Sequence, residues 1–273
     1  MRLIVSIGFC LISHWLCAQV DLEKVERGVS TTAAEDSPML STDGHRLVFL
    51  RSVTNEWPAL VYRQVWQLSF DNVEEAQSLG LDSVYTISYA YDGSALFFTR
   101  RTVWEQGERI AFYEAKGQPG NWQITNISER DGIMASYAHQ VKDGSLYFFQ
   151  YNGPEGTGLY RSQWSGTHFE APQWLGAELS PAKTTTFSPY VSPDEDWMIF
   201  TSYVEEDGEQ GRTGFYFARK VAGRWQKQQI KGLPYGWNAS LSANGQYLYF
   251  TDGSDVYRCL VKDLGIDFDF EHR

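Results

Sequence analysis

Four acidic residues recur at one position of this sequence. Glu56, Glu105, Glu155 and Asp207 each follow a phenylalanine (Phe49, Phe98, Phe148 and Phe200) by seven residues. Trp57, Trp104, Tyr151 and Tyr203 stand beside or near them. Carboxylates interleaved with aromatic faces suit a cation, a basic peptide or a carbohydrate. The plain alternative is an acidic protein placing its acids in solvated loops. A second column, Asp36, Tyr85, Ala135, Phe187 and Trp237, precedes a row of small hydrogen-bonding residues, Ser37, Thr86, Ser136, Ser188 and Asn238. Tyr85, Phe187 and Trp237 offer rings that stack on a sugar or a peptide side chain. The small residues read as ties between successive structural units. For an enzyme, Asp36, Glu105 and Glu155 are the acids to test, because carboxylates about 5 to 10 Å apart beside an aromatic floor suit glycoside hydrolysis.

Other chemistry finds little support. There is no G-x-S-x-G elbow and no hydrolase domain behind the repeats, so a peptidase of that kind lacks its chemical half. His45, His139, His168 and His272 are spread singly, without metal-ligand spacing. Only His139 falls on a strand of the inner set; there, hydrogen-bonded packing is the plain reading and a ligand or proton donor the functional one. No cofactor is expected, calcium at the acidic rim being the one ion considered. The net charge of −11 argues against nucleic acid and anionic membranes and is compatible with a protein or carbohydrate partner.

The elements that must position these residues follow from an internal repeat. Five segments align near 37–51, 86–100, 136–150, 188–202 and 238–252, and their anchors Phe49, Phe98, Phe148, Phe200 and Phe250 are spaced 49, 50, 52 and 50 apart. Each segment reads as a hairpin: a short strand, a tight turn, then apolar residues alternating with period two. Asp43-Gly44, Asp92-Gly93, Asp143-Gly144 and Asn244-Gly245 supply the positive φ such turns require. Asp43, Asp92 and Asp194 are accordingly turn-builders. The fourth repeat has Asp194-Glu195-Asp196, so its turn is expected to be built differently. In the third the turn is one residue shorter and Leu146 sets the register.

A third strand containing Tyr62, Tyr113, Tyr160, Tyr216 or Tyr257 follows each hairpin, and a fourth follows in most repeats. Four short strands per repeat of about 50 residues make one propeller blade. The predicted fold is all-β: a single propeller over 20–273, with five four-stranded blades closed by pairing of the N- and C-terminal segments.

Residues 1–19 read as a secretory signal peptide, with Arg2, a short apolar run and cleavage near Ala18 or Gln19. His14, Trp15 and Leu16 before Cys17 do not suit lipidation, and no later stretch is apolar enough to cross a bilayer. The expected location is periplasmic or secreted, without membrane insertion. Removal of Cys10 and Cys17 leaves Cys259 without a disulfide partner, as a buried small hydrophobe.

The segments SPMLSTDGHRLVF, SPYVSPDEDWMIF and ASLSANGQYLYF resemble the WD40-like repeats known as PD40, found in TolB-type propellers. Their usual pattern is Ser-Pro-x-x-Ser-x-Asp-Gly, two variable residues, then an apolar-x-Phe strand. TolB-type rings commonly have six blades, against five units here. The resemblance implies a propeller whose relatives serve as protein-binding modules, sugar-pathway proteins and accessory domains of peptidases. The expected function is an exported, non-catalytic binding or scaffold propeller that engages a protein or envelope glycan through its loop-rich face. The alternative is a carbohydrate-active enzyme, hydrolase or lyase. The binding residues expected are Glu56, Trp57, Tyr85, Trp104, Glu105, His139, Glu155, Phe187, Asp207 and Trp237.

Overall fold

The repeated hairpins fold into five antiparallel sheets of four strands each. The computed structural model describes residues 20–53, 63–71, 75–104, 107–204, 214–266 and 268. A two-residue strand, β1 (Glu23–Lys24), comes first in the chain but belongs to the last sheet. The first blade holds β2 (Glu35–Leu40), β3 (Arg46–Ser52), β4 (Arg63–Ser69) and β5 (Gln77–Ser78). The second holds β6 (Thr86–Tyr89), β7 (Ala95–Trp104), β8 (Gly107–Gln118) and β9 (Asn121–Asn126). The third has β10 (Ser136–Gln140), β11 (Leu146–Gly153), β12 (Gly156–Ser162) and β13 (Gln173–Trp174), and the fourth β14 (Thr184–Val191), β15 (Trp197–Val204), β16 (Gly214–Val221) and β17 (Arg224–Gln229). The fifth is β18 (Trp237–Leu241), β19 (Tyr247–Thr251) and β20 (Val256–Leu260), completed by β1. Glu23 and Lys24 lie opposite Arg258 and Tyr257, so the ring closes as the sequence predicts and one sheet edge is covered.

The second strand of each blade explains the repeat. Phe49, Phe98, Phe148, Phe200 and Phe250 are all buried, and each packs into a cluster shared with the preceding blade. The residue before each anchor (Val48, Phe97, Tyr147, Ile199 or Tyr249) turns to the opposite face and packs against the following blade. Successive side chains on a strand point to opposite faces, so one apolar run serves two interfaces. Burial of each phenylalanine contributes about 1.5–3 kcal/mol. The third-strand tyrosines stack on these anchors, with ring centroids 5.2 Å apart for Phe98–Tyr113, 5.7 Å for Phe200–Tyr216 and 6.0 Å for Phe250–Tyr257. In the first blade the residue opposite Phe49 is Trp66, whereas Tyr62 lies outside the described residues.

Two sequence expectations are corrected here. The fourth turn is built like the others: Glu195 N–H donates to Ser192 O at 2.9 Å, as Gly44 does to Ser41 and Gly245 to Ser242. Glu195 takes the left-handed position at φ 60°, where the other repeats use glycine. The second correction is a register. Ser37, Tyr137, Ser188 and Asn238 share left-handed φ near 50°, each at a β-bulge in the innermost strand. Tyr137, not Ser136, therefore stands in the row of small residues, and Ser136, not Ala135, pairs with the residue after its anchor as Asp36, Phe187 and Trp237 do; the second blade has no bulge, and there Thr86 pairs with Thr99. The missing residue of the third repeat lies after its Asp-Gly turn, where Val141 N–H donates to Ser145 O.

That row ties blades together only in places. Asn238 Nδ2 donates to Ser37 Oγ at 2.8 Å across the fifth and first blades, and Tyr137 N–H donates to Thr86 Oγ1 at 3.2 Å across the third and second. Ser188 Oγ is buried without a hydrogen-bond partner among the described residues. Asp43 and Asp92 are turn-builders in geometry, accepting from His45 N–H at 3.0 Å and Ser94 N–H at 2.9 Å, whereas in the turn of Asp194 it is Ser192 Oγ that accepts, from Asp196 N–H at 2.9 Å and Trp197 N–H at 3.1 Å. Their neighbouring serine hydroxyls, Ser41 and Ser94, hold both carboxyls below the usual carboxylate range. Cys259 is buried, and burial pushes its thiol up to about 12.

Candidate ligand site at the mouth of the ring

Each bulge re-aims the side chain before it toward the axis. On the face opposite the Asp-Gly turns lies a cavity of about 720 Å³ lined by Ser136 and Phe187, which precede bulges, and by Tyr85, Arg101, Tyr137, Phe149 and Tyr203, among others. The rings form one connected cluster. Tyr137 lies 5.8 Å from Tyr85 and 5.3 Å from Phe187, and Phe187 lies 6.2 Å from Tyr203, centroid to centroid. The Tyr137 hydroxyl donates to that of Tyr85 at 3.3 Å. Burial pushes the Tyr137 hydroxyl well above its ordinary pKa, with the charge of Asp36 adding to the effect and that of Arg63 opposing it. Tyr137 therefore stays a neutral phenol at any physiological pH. The guanidinium of Arg101 lies over the Tyr85 ring, 5.3 Å from its centroid.

Asp36 belongs to this end of the axis, buried at 4% exposure. One carboxylate oxygen accepts from Ser37 N–H, from Trp237 Nε1–H at 2.9 Å and from Asn238 Nδ2 at 3.2 Å. The other accepts from Arg63 Nη1. Both oxygens are committed, so in this arrangement Asp36 orients Arg63 and Trp237 and is not a free general base. Trp237 in turn lies 5.6 Å from Tyr235 and over Gly253, where an added Cβ would meet the indole at 2.6 Å. Gly253 occupies the position, three residues past the anchor, that Arg101, Tyr151 and Tyr203 hold in other blades. Its missing side chain is what lets Trp237 lie there.

The structure brings Asp36, Tyr85, Phe187 and Trp237 to the same end of the axis. Glu155 is exposed and lines a separate cavity of about 420 Å³ with Tyr151, Trp174, Lys183 and Thr185. His139 points to the other end of the axis. There it lines a third cavity, of about 270 Å³, with Leu40, Tyr91, Tyr190, Asp194 and Leu241. Its Nε2 lies 3.0 Å from Val191 O and its ring 4.6 Å from that of Tyr190; desolvation holds the imidazole down to about 4. Glu56, Trp57, Glu105, Asp207 and the side chain of Trp104 lie outside the described residues. No group of three His, Cys, Asp or Glu among the described residues is arranged to hold a metal ion.

Arg63, Arg101, Tyr137 and Phe149 escape the sequence reading. Tyr137 lies one residue past the position that the anchor spacing assigns to the row. Arg101 and Tyr203 share the column three past the anchor, a signal visible once the anchors are aligned. Arg63 lies three residues before Trp66, which pairs with the anchor Phe49, so its place in the repeat shows only once that register is fixed.

No protein-family model matches the chain, and no curated protein matches it. Solved structures do. A GH43_1 enzyme from Xanthomonas citri complexed with xylotriose is 10% identical, with a TM-score of 0.53 over 87% of this chain and 90% of that one. A mannose phosphorylase from Leishmania mexicana in complex with a phosphate ion is 11% identical, with a TM-score of 0.52 over 91% and 90%. A xylan β-1,4-xylosidase from Bacillus halodurans is 12% identical, with a TM-score of 0.51 over 86% of this chain and 54% of its own. At such identities the likeness is one of fold: the chain is a five-bladed β-propeller.

Proposed function

We propose that this propeller is a carbohydrate-active protein that holds a glycan in its aromatic mouth. The observation that carries the reading is the connected cluster of Tyr85, Tyr137, Phe149, Phe187 and Tyr203 around a cavity of about 720 Å³. That volume falls in the range of about 300–1,000 Å³ usual for small-ligand sites. Flat rings pack against the C–H faces of pyranoses, while Ser136, Asn152, Thr185 and Arg101 offer hydrogen bonds to hydroxyls. The similarity in fold to a xylosidase and to a GH43_1 enzyme supports the reading of an enzyme over that of a non-catalytic scaffold. The kinship of the repeats to PD40 units, and export after cleavage near Ala18 or Gln19, belong to the same reading.

The test is incubation of the purified protein with xylo-, manno- and uronate-containing oligosaccharides, followed by calorimetry and product analysis. New reducing ends identify a hydrolase and unsaturated products a lyase. Saturable binding without products identifies a lectin-like propeller. Phe187→Ala is expected to weaken binding at least about tenfold, about 1.4 kcal/mol. Asp36→Asn, which keeps the shape but not the ion pair, reports on the orientation of Arg63. Absence of binding to every glycan sinks the reading. Sequencing the N-terminus of the secreted protein tests the cleavage site.

A further inference from the structure

The mouth does not end at the ring. Tyr151 and Thr185 line both the axial cavity and the cavity of about 420 Å³ that contains Glu155, so the two spaces meet along one wall. Tyr151 stands at 67% exposure at that junction. The second space lies between the β11–β12 hairpin and the segment that leads from the third blade into the fourth. Its lining combines an indole (Trp174), a carboxylate (Glu155), an ammonium (Lys183) and the hydroxyls of Thr157 and Thr184. Trp174 Nε1–H is buried with no acceptor among the described residues. At its inner side the two backbones approach closely. Gly158, at φ 157°, stands where a Cβ would meet Ser180 Oγ at 2.5 Å, and Lys183 is held left-handed at φ 61°.

We infer that these two cavities form one binding groove and that its ligand is a linear oligosaccharide, running from the axial mouth past Tyr151 to Glu155 and Lys183. The inference rests on the carbohydrate reading above and adds its direction and length. A single pyranose fills neither the aromatic mouth nor the outer space; several linked units, with a ring laid on Tyr151, occupy both. The exposed tyrosine at the junction is then accounted for as a stacking platform. The outer space supplies both a donor and an acceptor group for sugar hydroxyls, through charge-assisted hydrogen bonds.

The experiment is a chain-length series. Xylo- and manno-oligosaccharides from mono- to hexasaccharide are titrated into wild type and into the double variant Glu155→Gln/Lys183→Ala, both of whose sites are exposed. Wild-type affinity is expected to climb with length, roughly tenfold or more between disaccharide and pentasaccharide. The double variant is expected to lose that gain and to match wild type on the shortest ligands. Affinity that is flat beyond the disaccharide overturns the groove but leaves the mouth. A length-dependent gain that survives in the double variant also overturns it, because the chain then runs elsewhere. No binding at any length overturns the carbohydrate reading itself.

Discussion

Thr99 Oγ1, on the second blade, donates to the carbonyl oxygen of Ala135, on the third, across 2.9 Å of fully buried interface. The same tie recurs from Thr201 to Gly236 O at 3.0 Å and from Thr251 to Glu35 O at 2.9 Å. Each threonine directly follows its anchor phenylalanine, and each accepting carbonyl lies two residues before the row Ser37, Tyr137 and Asn238. At the other two interfaces the equivalent residues are Leu50 and Phe149, and apolar packing takes the place of the tie.

Thr99→Val is expected to destabilise the ring by about 1–3 kcal/mol. The isosteric change leaves the Ala135 carbonyl without its hydroxyl donor and removes the acceptor of the Thr86 hydroxyl, 2.9 Å away. Urea denaturation measures the loss. Thr99→Ser, which keeps the hydroxyl, should fall well short of it.

Glu195 carries two opposing contributions. Its left-handed backbone costs about 1–2 kcal/mol relative to glycine. Its carboxylate receives Arg161 Nε and Nη2, both at 2.9 Å, and the Tyr147 hydroxyl. Glu195→Ala keeps the strain and loses the partners, so it is expected to be the more damaging change. Glu195→Gly loses the partners but relaxes the turn. The order of their denaturation midpoints checks the balance; Ala at or above Gly contradicts it.

His139 makes stability depend on pH in a defined window. The unfolded chain takes up this proton near 6.5 and the folded protein only near 4. Between those values the unfolded state binds more protons, so stability falls as pH drops from 6.5 toward 4, by on the order of 3 kcal/mol. Above 6.5 the group contributes no pH dependence. The difference between wild type and His139→Gln, measured by denaturation across a pH series, should change within that window and be level above it.

Gly253→Ala is expected to displace Trp237. The new methyl meets the indole at 2.6 Å at a backbone φ of 92°, which the indole can relieve only by leaving Asp36. The indole N–H resonance of Trp237 should move, and glycan affinity should fall with it. An unshifted resonance shows that the backbone yields instead.

The ring was legible because its cause is repeated: five apolar runs must each serve two interfaces, and that requirement leaves Phe49 through Phe250 evenly spaced. Closure by β1 was legible from the incomplete last repeat. The register of the third blade was not, because a deletion after Asp143-Gly144 and one before it give the same anchor spacing. The bulge at Tyr137 and the Val141–Ser145 hydrogen bond separate them. The site was half legible. Tyr85, Phe187 and Trp237 stood out as aromatics in a column, whereas Asp36 read as a free acid until Arg63, Trp237 and Asn238 were found on its oxygens. No pattern in sequence announces a cation arriving from a different strand.

The two-residue strand that completes the fifth blade has a topological consequence. Glu23 and Arg258, joined at 2.8 Å, are 235 residues apart, so their contact closes a loop of most of the protein. The closure entropy of such a loop rises only logarithmically with length, and the pairing of β1 with β20 covers only two residues of each strand. In concentrated solution a neighbouring molecule presents the same edge in the same register. Exchange of β1 between molecules then links rings head to tail, a heterologous contact that extends unless it closes on itself. Joining the termini and reopening the chain between two blades would make the closing strand local in sequence, and such a permutant should lose the capacity for exchange.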